Sequence, residues 1–203
     1  MLELTIVRHG ETKGNQQMLY QGWTDTQLDR KGVQQAERLA LRLRGEEFDR
    51  IYSSPLLRAL RTATIINRFH GLEIIKVDNI KEIHFGEWEN MSRIQLEELY
   101  PGYMKEWRSD WRNYAVPGGE SLEIAYERIN SWLDRVIREN RSGRFLIVSH
   151  AGAIRTMVSH LVGKGIESHW SYQISNCSVT VIKVFDGFPV MSLFNDISHL
   201  ERD

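Results

Sequence analysis

Two short apolar runs in this chain each stop at a histidine. Thr5-Ile6-Val7 leads into Arg8-His9-Gly10-Glu11-Thr12, and Phe145-Leu146-Ile147-Val148 leads into Ser149-His150-Ala151-Gly152. The second run has no polar alternation, as expected of a parallel strand covered on both faces. Two such strands in one sheet would deliver two imidazoles to the same edge. That edge is where open α/β sheets bind their ligands.

The rest of the chain supports an alternation of strands and helices. Strands are expected at Leu2 to Val7, Arg50 to Tyr52, Glu73 to Val77 and Phe145 to Val148. Helices are expected at Arg30 to Arg44, with Val33, Ala36, Leu39, Ala40 and Leu43 on one stripe, and at Ser121 to Glu139 and Ala151 to Val162. Ser54 reads as an N-cap with Pro55 in the first helical position, opening a helix to about Phe69. Val179 to Phe185 and Val190 to Phe194 read as a strand pair turning at Asp186-Gly187. The expected fold is α/β, a three-layer α/β/α sandwich with a mostly parallel central sheet. Residues 83 to 119 carry many charges and aromatic residues, and read as a broken, polar helical and loop cap over the strand ends. The 203 residues are expected to form one domain, 1–203, that includes this cap insertion.

Composition excludes more than it assigns. A formal net charge of −1 gives no bulk attraction to nucleic acid or to acidic membranes. No apolar run approaches the roughly 20 residues that cross a bilayer. Cys177 is the only cysteine, so no disulfide forms within the chain. No basic and apolar leader precedes the first strand, and a cytoplasmic protein is expected. The oligomeric state is not legible.

The charged residues near the two histidines suit a phosphate. Arg8 and Arg58 supply planar forks that match phosphoryl oxygens. Helices starting near Pro55 and Ala151 would aim backbone N–H groups at the same anion. Asn15 and Gln21 add neutral donors. An imidazole can attack phosphorus and form a phosphohistidine, and Gly10 lets the backbone beside His9 approach closely. His150 is placed to hydrogen-bond a nonbridging oxygen as charge develops. Glu82 is the candidate acid for the leaving oxygen, with Ile83 and Phe85 expected to raise its pKa by desolvation. Glu87 and Glu89 are rival carboxylates. The histidines show no spacing that argues for zinc, so no metal or cofactor is expected.

Arg8-His9-Gly10-Glu11-Thr12 with Asn15 resembles the signature of the histidine phosphatase superfamily. The resemblance runs through Gln21-Gly22, Leu28 to Ala36, Ser53-Ser54 to Thr62, Glu82 with Phe85 to Glu89, Pro117 to Ser121 and Val148 to Gly152. It implies a phosphomonoesterase acting on a small molecule. His9 would be the phosphorylated nucleophile, with Arg8, Arg58 and His150 around the phosphoryl group. Glu82 would be the proton donor, and later the base that activates water. Asn15, Gln21, Gly22 and the backbone at Ala151 would complete the pocket. Mutases of the family are longer and typically carry a tryptophan before the motif asparagine, where this chain has Gly14; both departures imply hydrolysis.

Within the superfamily the chain looks like α-ribazole phosphatases and like broad-specificity phosphatases. Trp88, Trp107, Trp111 and Tyr114 could stack on a flat base or merely seal the cap. A catalytically silent phospholigand-binding protein is the alternative of another class. His84, His160, His169 and His199 show no assembled partners in the sequence. His70 is expected to end a helix as a cation that suits the helix dipole.

Overall fold

The computed structural model describes residues 1–200. A six-stranded sheet is built from β1 (Leu2–Arg8), β2 (Arg50–Ser53), β3 (Ile74–Lys76), β4 (Gly143–Ser149), β5 (Val179–Phe185) and β6 (Phe188–Asp196). The strand order is β3-β2-β4-β1-β5-β6. The pairs β1·β4, β2·β4 and β2·β3 are parallel; β5 and β6 are added antiparallel at one side. The helices are α1 (Lys13–Gln16), α2 (Arg30–Leu43), α3 (Leu57–Asn67), α4 (Arg93–Leu99), α5 (Pro101–Ser109), α6 (Leu122–Glu139) and α7 (Ala151–Leu161).

Pleating divides the core. Leu2, Leu4 and Ile6 of β1 point to one face, with Ile129 and Leu133 of α6 and Ile154 and Met157 of α7. Val7 points to the other face, with Leu39 of α2 and Ala63 and Ile66 of α3. These are the three layers expected from the sequence. Leu39 is fully buried, so Leu39→Ala is expected to lower unfolding stability by about 2–5 kcal/mol in a denaturant titration.

The β1·β4 register explains why two distant histidines meet. Arg8 lies opposite Ser149, and the His9 N–H donates to the Ser149 carbonyl at 3.0 Å. The chain therefore leaves both strands at the same level, with His9 and His150 as the next residues. The turn after His9 packs against the start of α2. A Cβ on Gly10 would lie 2.4 Å from the Gly32 carbonyl oxygen, so only glycine allows this backbone approach.

Three local expectations are corrected. The helix expected at Pro55 begins at Leu57, with Leu56 extended in the N-cap position. The Ser54 hydroxyl meets the His150 ring, and Asp25 accepts from the Leu57 N–H at 2.6 Å instead. The segment 83 to 119 is less broken than expected: it contains α4 and α5 and a small core of Trp88, Leu96, Met104 and Val116. Those anchors are too widely spaced to form a periodic stripe. His70 is not a dipole-matching cation; burial lowers its pKa, and its ring packs edge-on against Phe48.

Candidate active site

His9 is buried, and its Nδ1 lies 2.7 Å from the Gly10 carbonyl oxygen. A carbonyl only accepts, so Nδ1 carries the proton and Nε2 keeps its lone pair. Burial, and then Arg58 and Arg8, hold the His9 pKa well below the usual imidazole value. The ring is therefore neutral at pH 7, as a nucleophile requires.

His150 lies beside it, with ring centroids 5.1 Å apart. The Arg58 Nε–H donates to His150 Nδ1 at 3.2 Å. A guanidinium only donates, so the His150 proton sits on Nε2, where it meets the Ser54 hydroxyl at 2.8 Å. Burial, then Arg58, His9 and Arg8, depress the His150 pKa as well.

The two arginines are disposed differently. Arg8 donates from one terminal nitrogen to the Ile174 carbonyl at 2.8 Å. Its Nε is buried with no partner among the described residues. Burial pushes its pKa down to about 10, which leaves it cationic. Arg58 is fully buried and donates to the carbonyls of Thr24, Gln21 and Gly22 as well as to His150. Its guanidinium ties the 21–24 loop to His150, and Gly22 takes part through its carbonyl.

Glu82 stands at the N-terminus of α7. Its Oε2 accepts from the Gly152 N–H at 3.0 Å, and its Oε1 from the Ala153 and Ile83 N–H groups at 3.0 Å each. Ile83 and Phe85 line the same cavity as Glu82, as expected, but the carboxyl oxygens themselves meet backbone donors. The group at this helix end is the Glu82 carboxyl itself, and the N–H groups of Gly152 and Ala153 are already taken. A Cβ on Gly152 would lie 2.4 Å from Glu82 Oε1. Gly152→Ala is therefore expected to push the carboxylate off the helix end. The expected loss is about 10²-fold in kcat with the far-UV spectrum preserved; an unaltered kcat would show that this placement is irrelevant. Glu89, the rival carboxylate, accepts from the backbone of Trp23 and Thr24, which fixes the same loop.

Asn15 and Gln21 line the cavity. Gln21 Oε1 accepts from the hydroxyls of Thr12 and Thr26 at 2.8 and 3.0 Å, which leaves Nε2 buried without a partner. Asn15 Oδ1 accepts from Thr12 and from Asn176. Ala151 also lines the cavity; Gly22, Arg58 and His150 lie behind its wall.

The cavity has a volume of about 270 Å³. Beyond His9 and Glu82 its wall is aromatic: Phe85, Trp88, Trp107, Trp111, Tyr114 and Trp170. Trp88 also stacks on Tyr114 at 6.1 Å, so these rings both seal the cap and face the cavity.

Sequence reasoning missed several groups here. Asn176 donates to the His9 carbonyl at 3.0 Å, and the Thr62 hydroxyl accepts from the Gly10 N–H at 3.1 Å. Thr62 stands one helical turn after Arg58, a spacing that was available; no pattern marks Asn176. The other histidines have partners after all: His160 meets Asp134, His84 meets Glu89, His169 meets Thr156 and His199 meets Arg42. Among the described residues no cluster of His, Cys, Asp and Glu is placed to hold a metal, and no helix is long and apolar enough to cross a membrane.

Neutral His9 and His150 imply an acid limb in stability. In the unfolded chain an imidazole binds its proton near about pH 6.5. The folded pKa values are lower, so below that pH the unfolded state binds more protons and stability falls. The melting temperature is expected to drop between about pH 7 and about pH 5; a flat profile would contradict the buried, neutral rings.

Comparison with known proteins agrees with this geometry. The profile of the histidine phosphatase superfamily (branch 1) matches residues 4–197. Phosphoserine phosphatase 1 of Hydrogenobacter thermophilus is 36% identical over 200 residues, covering 98% of this chain and 95% of that protein. The crystal structure of the α-ribazole phosphatase from Shigella flexneri superposes with a TM-score of 0.91 at 27% identity, covering 97% of each chain. A phosphoserine phosphatase mutant from Entamoeba histolytica, in complex with phosphoserine, gives a TM-score of 0.86 at 32% identity over 98% of this chain and 100% of that one. Profile, relatives and fold agree, and the chain belongs to the histidine phosphatase superfamily as a phosphatase.

Proposed function

We propose that the protein hydrolyses phosphomonoesters through a phosphohistidine on His9, with α-ribazole 5′-phosphate as its substrate. The observation that carries this reading is the aromatic cavity that opens directly from His9 and Glu82, with His150 behind its wall. A flat base on the leaving alcohol would find stacking partners there.

The chemistry follows in two steps. The His9 Nε2 lone pair attacks phosphorus, the N–P bond forms and the P–O bond to the alcohol breaks. Glu82 enters this step as the carboxylic acid, and its Oε2, which accepts one backbone bond where Oε1 accepts two, delivers the proton to the leaving oxygen. Water then attacks phosphorus, Glu82 takes its proton, and the N–P bond breaks to release phosphate. Arg8 and the unpartnered Gln21 Nε2 face the phosphoryl oxygens, with Asn15 beside them. His150 and Arg58 support the growing charge from behind.

Phosphoserine is the second reading, favoured by the relative at 36% identity. Its small leaving alcohol leaves most of the aromatic wall unused. Purified, chelator-treated protein should be assayed on α-ribazole 5′-phosphate, phosphoserine, 3-phosphoglycerate and p-nitrophenyl phosphate. The reading expects the highest kcat/KM on α-ribazole 5′-phosphate, which would place the protein in cobalamin nucleotide-loop assembly. A preference for phosphoserine would replace it, and equal values throughout would mark a generalist.

A further inference from the structure

Arg155 is the one cation on the aromatic side of the cavity, among the described residues, that the chemistry above does not use. It stands one helical turn after Ala151 on α7, so both residues present the same face to the cavity. Its Nε–H donates to the Tyr172 carbonyl at 2.8 Å, which fixes the direction of the guanidinium. Its plane sits over the Trp170 ring, 5.8 Å from the centroid. No hydrogen bond or carboxylate partner from the described residues reaches its terminal nitrogens. A half-buried guanidinium that has one edge anchored and the other free is a preset donor pair.

The neighbouring groups do not compete for it. Glu120, also on the cavity wall, accepts from Arg128 and from the His84 N–H. His169 lines the same wall, and burial, followed by the charge of Arg155, lowers its pKa to about 3. It is therefore neutral, and its Nε2 is buried with no partner among the described residues.

We propose that the free terminal N–H groups of Arg155 bind a hydrogen-bond acceptor on the leaving alcohol, so that Arg155 selects phosphomonoesters whose alcohol carries an acceptor, such as a ring nitrogen or a sugar hydroxyl, over plain aryl phosphates. This rests on the α-ribazole reading and adds to it. Stacking alone would accept any flat ring. A site built to hydrogen-bond a substituent rejects the analogue that lacks it, because the site's polar group is then left unpaired.

The test compares kcat/KM for α-ribazole 5′-phosphate with that for phenyl phosphate in the wild type, in Arg155→Met and in Arg155→Lys. The ratio within one preparation cancels any loss of folded protein. The expected result is a wild-type preference for α-ribazole 5′-phosphate that falls about tenfold or more in Arg155→Met. Most of that fall should appear in KM, and Arg155→Lys should recover only part of it, since a point charge cannot replace an anchored fork. A wild-type preference that survives in Arg155→Met overturns the role of Arg155 and leaves the α-ribazole reading standing. A wild type without the preference overturns the reading and the inference together.

Discussion

His9→Ala is expected to reduce turnover of every phosphomonoester by about 10⁴-fold or more. Among the described residues no other group is placed to carry the phosphoryl group. His150 has its Nδ1 lone pair engaged by Arg58 and its proton on Nε2, so its ring offers no free lone pair for attack. The fold should survive, because the His9 backbone bond to Ser149 does not involve the side chain. The purified variant should keep a cooperative melt and still bind inorganic phosphate. Residual turnover within about tenfold of wild type would mean that another nucleophile operates.

The second large effect concerns the leaving group. Glu82→Gln keeps the shape but replaces an acceptor with an amide, whose NH₂ cannot accept from the N-terminus of α7. It is expected to cost about 10²–10⁴-fold in kcat/KM, which reports the phosphorylation step alone, on alkyl esters such as α-ribazole 5′-phosphate. The loss should be much smaller on p-nitrophenyl phosphate, because nitrophenolate leaves with little protonation. Equal losses on both substrates would assign the acid to another residue. Dephosphorylation should slow as well, since the same carboxylate takes the proton from water, and phosphoenzyme should accumulate with the nitrophenyl ester.

Much of this was legible in the sequence because the strongest signals are local. Short, mostly apolar runs mark β1 and β4, and each is closely followed by its histidine. Neighbouring parallel strands need only one register to bring those histidines together, and Arg8 opposite Ser149 is that register. The helices expected from Arg30 and Ser121 are observed as α2 and α6, capped by the side chains of Asp29 and Ser121.

What escaped depends on long-range competition for donors and acceptors. Ser54 has the composition of a helix cap, but its hydroxyl meets a ring 96 residues away. Glu82 has the apolar neighbours Ile83 and Phe85 that the sequence shows, but its hydrogen bonds to Gly152 and Ala153 cross 70 and 71 positions. Arg58 looked like a phosphate fork, and the structure gives four of its bonds to protein acceptors, three of them loop carbonyls. Arg155 carries no local mark at all: only the fold shows that its helix face meets the aromatic cavity. The sequence pattern therefore identifies which residues gather at the strand ends, whereas the division of labour among them is set by which partners each side chain has left over.

The most direct test of the account is to quench the protein during turnover of p-nitrophenyl phosphate and map the phosphate by mass spectrometry under alkaline conditions, where phosphohistidine survives. The account predicts a transient phosphoryl group on His9, formed at least as fast as steady-state turnover and lost at a rate that matches it. Turnover with no phosphorylated His9, or with the phosphate on another residue, would contradict it.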